Sequence, residues 1–166
     1  YLVGLGFHEI LTNSITNSKY YNEEVLAGGV RMLNNLSADL DMLRPSMLEA
    51  GLETIVHNLN RRNNNLQLFE FGKTYHAASL GSFSEKKTLN LLVSGEITTD
   101  HWRKQKSPAD IFYIKGVVAN ILQLLGVPAI SFAPHQQDSL AGLAVHSGSV
   151  FIGTLGVVGK NKLRQF

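Results

Sequence analysis

Apolar residues recur at steps of four, three and four through Leu48, Leu52, Ile55 and Leu59, which makes one stripe along a helix. The start of that helix is marked as well. Pro45 pushes Arg44 towards an extended conformation, and Ser46 and Glu49 have the spacing of a capping box. Arg61 and Arg62 put positive charge at its C-terminal end, where the helix dipole favours it, and the asparagines 63–65 form a turn. A second stripe runs through Ile114, Val118, Ile121 and Leu125. Ser107, Pro108 and Asp110 supply its start signals, with Ser107 as the expected N-cap; Gly126 and Pro128 stop it.

Strand patterns occupy much of the rest. Residues 7–15, 30–36, 66–71, 89–95 and 130–133 are rich in β formers, and residues 142–158 read as a hairpin turning at 146–149. The near-continuous apolar run at 89–95 predicts burial on both faces. Gly72 is expected to mark a bend or bulge. The polar stretch 77–87 is expected to be a mobile loop. A short helix is predicted over 20–27, closed by Gly28 and Gly29, and residues 1–6 read as a last helical turn closed by Gly6. Several hairpin-connected strands and two long amphipathic helices fit an α+β fold, a mostly antiparallel sheet flanked by helices.

Composition narrows the chemistry. The chain has 166 residues, 44% hydrophobic and 17% charged, enough to bury one core. With no cysteine, disulfides and thiolate metal sites are excluded, and a reducing, cytoplasmic setting is expected. No apolar run approaches membrane-spanning length, and no charged-then-apolar leader opens the sequence, so no membrane partner and no signal peptide are expected. A formal charge of +2 is too mild for nucleic-acid binding over the whole surface. The start at Tyr1 and a helix just beginning at 160–166 suggest a domain excised from a longer polypeptide, with 1–166 as a single domain.

No complete catalytic motif is present. Phosphate-loop, HExxH, GxSxG and GxGxxG patterns are missing, and the glycine rhythm Gly153, Gly156, Gly159 misses dinucleotide spacing. The six histidines have no metal-ligand spacing, so no metal site is expected. Glu70, between Phe69 and Phe71, is either an inward carboxylate or, by alternation, a solvated one; the solvated reading is favoured. Arg61 and Arg62 read as a solvated helix end or an interface anchor. Trp102 with Arg103, Lys104 and Lys106 is a basic loop with a weak RNA signal.

A series of short motifs then comes in order: Gly4–Ile10, Val30–Ser37, Leu43-Arg-Pro-Ser-Met-Leu48, Asn58–Arg61, Leu68-Phe-Glu-Phe-Gly-Lys73 and Ile114-Lys-Gly116. This order resembles the core of the β-subunit family of bacterial phenylalanine–tRNA ligase, most specifically over residues 30–75. The resemblance implies a class II aminoacyl-tRNA synthetase-like antiparallel sheet flanked by helices, without catalytic activity. In catalytic class II domains a strand like Leu68–Tyr75 leads to an arginine that grips the ATP phosphates; here His76 stands there. An imidazole lacks the bidentate, permanently charged guanidinium fork. The resemblance therefore implies no catalytic and no cofactor-binding residue in this domain, with ATP and Mg used elsewhere in the whole enzyme. It also implies packing on a catalytic α subunit within an (αβ)2 heterotetramer that binds tRNA. Arg44, Arg61, Arg62, Phe69 and Phe71 are the expected structural or interface residues. The segments 134–140 and 156–162 depart from the family pattern. The alternative is a free-standing nucleotide- or RNA-binding module on the same fold.

Overall fold

The computed structural model describes residues 1–35, 37–79, 81–97, 107–137 and 140–166. The chain divides into two compact units, Leu2–Ser94 and Gly95–Phe166, the latter with Tyr1.

In the first unit, a 3-10 turn at Val3–Leu5 closes on Gly6, whose φ of 91° is the left-handed conformation a glycine adopts without strain. The expected strand over 7–15 is cut short. Only β1, His8–Glu9, and β2, Ile15–Thr16, are strand; the Ile10 N–H still bonds the Phe69 carbonyl, but the Thr12 N–H turns to the Glu70 carboxylate and the Ile15 N–H to the Asn13 side chain. Helix α1 covers Glu23–Ala27, with Asn22 as its N-cap. Among the described residues of the expected strand 30–36, only β3, Val30–Arg31, forms; it pairs with β4, Met42–Leu43, and β4 pairs with β2.

Helix α2 covers Leu48–Leu59. The expected capping box does not form: the N-cap is Met47, with no side-chain cap bond; Ser46, one residue earlier, accepts from the Leu48 N–H through Oγ at 3.0 Å, and Glu49 is buried and receives the Tyr21 hydroxyl at 3.2 Å. Leu52 is buried, and Leu48 and Ile55 pack on Leu66, Leu68 and Leu92; Leu59, at the frayed end, is exposed. Gly51 lets the helix approach the sheet, since a Cβ there would strike the Leu92 side chain.

The strands beneath are longer than the sequence suggested. β5 runs Leu66–Ser79 and β6 runs Ser82–Ser94, paired antiparallel from Leu66↔Ser94 to Ser79↔Ser82. The expected mobile loop at 77–87 is thus mostly strand and the turn of a hairpin, with Gly81 at φ 80°. Gly72 sits in unbroken register opposite Thr88; the irregularity lies at Ala77/Ser79. What Gly72 supplies is space, because a Cβ there would meet the Arg44 guanidinium and Met47. In β6 only Leu92 is fully buried, so burial on both faces holds only in part. β1 lies parallel to β5.

In the second unit, α3 covers Ile111–Leu124 and is capped by Asp110, not Ser107; the Asp110 carboxylate accepts from the Tyr113 N–H at 2.7 Å. Its buried face is rotated from the expected stripe. Val117 and Leu122 are buried, and Leu125, one residue past the helix, is 72% exposed. Ile111, Ile114 and Val118 pack with Leu122 on Val145 and Leu155. Those last two belong to an antiparallel sheet of β7, Ile130–Gln137, β8, Leu140–Ser147, and β9, Val150–Val158. The β8–β9 turn holds Gly148 at φ 57°, where the hairpin was expected. The glycines from Gly153 to Gly159 are strand β9 and the N-cap of α4, Lys160–Leu163.

Candidate functional site

The most constrained polar group lies where Arg44 enters α2. Arg44 is 2% and Glu70 1% exposed, and Arg44 Nη1 meets Glu70 Oε1 at 3.0 Å. The same nitrogen donates to Thr12 Oγ1 at 2.7 Å; the Thr12 hydroxyl donates on to Glu70 Oε2 at 2.7 Å, and the Thr12 N–H donates to Oε1 at 3.2 Å. Arg44 Nε reaches the Lys73 carbonyl at 3.0 Å. The backbone joins in: Arg44 N–H donates to Ser14 O, and Arg44 O accepts from Tyr75 N–H. Three separate segments, 12–14, 44 and 70–75, are tied at one point. A buried ion pair needs such additional bonds to offset the desolvation of both charges.

The favoured reading of Glu70 as solvated is therefore corrected. Its parity along β5 places it with Leu66 and Leu68, on the face that α2 covers. The adjacent Phe69 and Phe71 share the other face and touch edge-to-face at 5.8 Å. Phe69 is buried and Phe71 is 64% exposed. Sequence reasoning singled out Arg44 but missed Thr12 and the Lys73 carbonyl. The parity of Leu66, Leu68 and Glu70 was the available signal for the carboxylate; nothing local marks Thr12.

Arg61 and Arg62 do not join this cluster. Both are exposed; Arg61 Nη1 caps α2 through the His57 carbonyl at 3.0 Å, and Arg62 holds φ 64° in the turn that follows. His76, which the family resemblance sets against a phosphate-gripping arginine, is exposed on β5 opposite Ser84. The segment with Trp102, Arg103, Lys104 and Lys106 lies outside the described residues.

An open depression of about 360 Å³ is lined by Leu11, Thr12, Asn13, Thr16, Glu53 and Thr54 among others. Its lining holds hydroxyls, amides and the Glu53 carboxylate but no Lys or Arg, so a triphosphate would meet negative charge without a counter-ion. Beside it, burial and the bond to Glu53 push the Tyr20 hydroxyl up to about 12. Burial and the Glu49 carboxylate raise Tyr21 as well. Among the described residues no group of three His, Asp or Glu is placed to hold a metal. No helix there is long and apolar enough to cross a membrane.

Asp41 anchors the loop before β4. Burial acts to raise its pKa, but the Ser18 hydroxyl at 2.6 Å and the Ser18 N–H at 2.8 Å outweigh burial and hold it below its usual 3.8. A depressed carboxylate stabilises the fold above its unfolded pKa, and that contribution is lost as pH falls through the folded value. Thermal unfolding followed below pH 4 should accordingly show acid destabilisation that is smaller in Asp41→Asn. Equal pH slopes in the two proteins would contradict this.

The family model described as phenylalanyl tRNA synthetase beta chain CLM domain matches residues 1–166. The chain belongs to this family. Curated relatives agree with the synthetase β-chain assignment. The chain is 36% identical to the phenylalanine–tRNA ligase beta subunit of Bacteroides fragilis over 99% of its own length and 22% of that protein. It is 37% identical to the Bacteroides thetaiotaomicron protein and 33% identical to that of Porphyromonas gingivalis, at the same coverage. The chain thus spans about a fifth of the length of these relatives. Among solved structures, a pyrrolysyl tRNA synthetase of Desulfitobacterium hafniense superposes with a TM-score of 0.73 at 17% identity, over 99% of this chain and 57% of that one. That likeness confirms the expected synthetase-like α+β fold, and the β-chain family membership confirms the resemblance drawn from the motif order.

Proposed function

We propose that this domain is a non-catalytic scaffold within the β subunit of a phenylalanine–tRNA ligase, the enzyme that joins phenylalanine to its tRNA using ATP. Residues 1–166 act as one synthetase-like core domain that packs on the catalytic α subunit, in an (αβ)2 heterotetramer in the cytoplasm. ATP and Mg are handled by the α subunit. The observation that carries the reading is His76, exposed where the class II pattern requires a phosphate-gripping arginine. The cation-free depression at Thr12 and Glu53 points the same way.

In this reading Arg44 and Phe69 are structural, because both are buried. Phe71, with an exposed ring, and the Arg61–Arg62 pair at the end of α2 are the proposed contacts to the α subunit. Exposed aromatic and arginine side chains are the groups that anchor protein interfaces. A free-standing nucleotide-binding module would need cations converging on a pocket, and the described depression at Thr12 and Glu53 has none.

The test is co-expression of the full-length β chain with the α subunit, followed by size-exclusion chromatography with light scattering. A stable complex of (αβ)2 mass is expected, and reversing charge at both Arg61 and Arg62 should weaken it. An unchanged complex in that double variant would remove the bridging role. Failure of the unmodified chains to associate would overturn the scaffold.

A further inference from the structure

The depression at Thr12 and Glu53 is rich in acceptors. Its lining hydroxyls have spent their protons inside the protein. Thr12 donates to Glu70 Oε2 at 2.7 Å, Thr54 donates to the Ala50 carbonyl at 3.0 Å, and the Thr16 hydroxyl bonds Tyr21. Thr12 is used up altogether, because its oxygen also accepts from Arg44 at 2.7 Å. One hydrogen of the Asn17 amide goes to Asp39 at 3.1 Å. Lone pairs are what remains. The Thr54 oxygen keeps its acceptor side, and the Asn13 and Asn17 side-chain carbonyls each take one backbone N–H and can accept again. Glu53 gives one oxygen to the Tyr20 hydroxyl at 2.7 Å and keeps the other.

The charge has the matching sign. Glu53 is the ionised group of the lining, and among the described residues no Lys or Arg lies within ion-pair distance of it. Lys19 is near in sequence, but it pairs with Asp39 at 3.8 Å and does not line the depression. After burial and the Glu53 bond, the charges of Glu53 and Asp39 also raise the Tyr20 pKa, as a negative local field does. Leu11, Ile15 and Leu40 supply apolar wall, and the volume of about 360 Å³ lies within the range of small-ligand sites.

We propose that this depression binds a free primary amine as its ammonium, with the charge at Glu53 and a short aliphatic chain against Leu11 and Leu40. An ammonium carries three donors, a positive charge and no acceptor, which is the complement of this lining. An anionic ligand would meet Glu53 without a counter-ion, and a neutral alcohol would leave that carboxylate unanswered.

The experiment titrates n-butylammonium chloride into the full-length α–β complex by calorimetry, without ATP or tRNA, and uses n-butanol as the uncharged probe of the same length. Butylammonium should bind saturably with a Kd on the order of 1 mM, and n-butanol should show no saturation. Glu53→Gln keeps an acceptor for Tyr20 and removes the charge. It should weaken butylammonium about 5-fold, the upper range for an exposed ion pair. Thr54→Val should weaken it about 3-fold, the worth of one neutral hydrogen bond. Glu85→Gln, at an exposed carboxylate that does not line the depression, should change nothing. ATP–pyrophosphate exchange measured without the amine should be equal in all variants, which shows that the complexes are intact. Absence of saturable binding would overturn the proposal, and so would equal affinity in Glu53→Gln or equally tight binding of n-butanol. A loosened α–β complex in Glu53→Gln without any amine binding would mark a lysine of another subunit as the occupant, and would overturn the free-amine site.

Discussion

Glu70→Ala is expected to destabilise the fold by about 3–5 kcal/mol, the usual consequence of leaving one buried charge without its partner. The remaining Arg44 would keep its Thr12 and Lys73 bonds but face no carboxylate at all, at 2% exposure. Truncating Arg44 to Met should cost a similar amount, because Glu70 is then the stranded ion. The double variant Arg44→Met with Glu70→Leu should recover much of the loss, since apolar groups of similar volume carry no desolvation term. Urea unfolding of the three variants closes a double-mutant cycle, and a coupling of several kcal/mol is expected. Losses below about 1 kcal/mol in both single variants would show that the cluster is wetter than its geometry indicates.

The second large effect is expected at Gly142, paired across β8–β9 with Gly156. A Cβ at Gly142 would run into the Leu155 carbonyl and the Gly156 Cα, and a Cβ at Gly156 into the Ala141 carbonyl. These are backbone atoms, which cannot swing aside as a side chain can. Gly142→Val should therefore cost about 3 kcal/mol, the upper range for overpacking. Gly153, three residues before Gly156 on the same strand, has open space where its Cβ would go, so Gly153→Ala is the control and should be close to neutral. Thermal melts of the two variants check this, and equal losses would contradict the steric account.

The large helices and hairpins were legible because their signals are local. The α2 stripe and the stop at Gly126 are set within a few residues of the backbone they shape. What failed depends on contacts distant in sequence. The polar stretch 77–87 has no apolar alternation, yet it continues as strand because β5 and β6 extend each other's hydrogen-bond ladder. The N-cap of α3 moved from Ser107 to Asp110, because the residues between them are extended, with Ile97 N–H donating to Ser107 O. At the buried cluster, Arg44 was visible from its place before Pro45, whereas Glu70 was read as solvated, because its alternation was taken from Phe69 and Phe71 rather than from Leu66 and Leu68. Thr12 was not visible, since it joins Glu70 across 58 positions of sequence. His76, which the motif order sets against a phosphate-gripping arginine, is an exposed residue of β5.

The most direct test of the scaffold account is the number of ATP molecules held by the full-length α–β complex, measured by equilibrium dialysis with the His76→Ala variant alongside. The account predicts one ATP for each α–β pair, with no change in the variant. Two per pair, falling to one when His76 is removed, would show that this domain binds the nucleotide itself and would contradict the account.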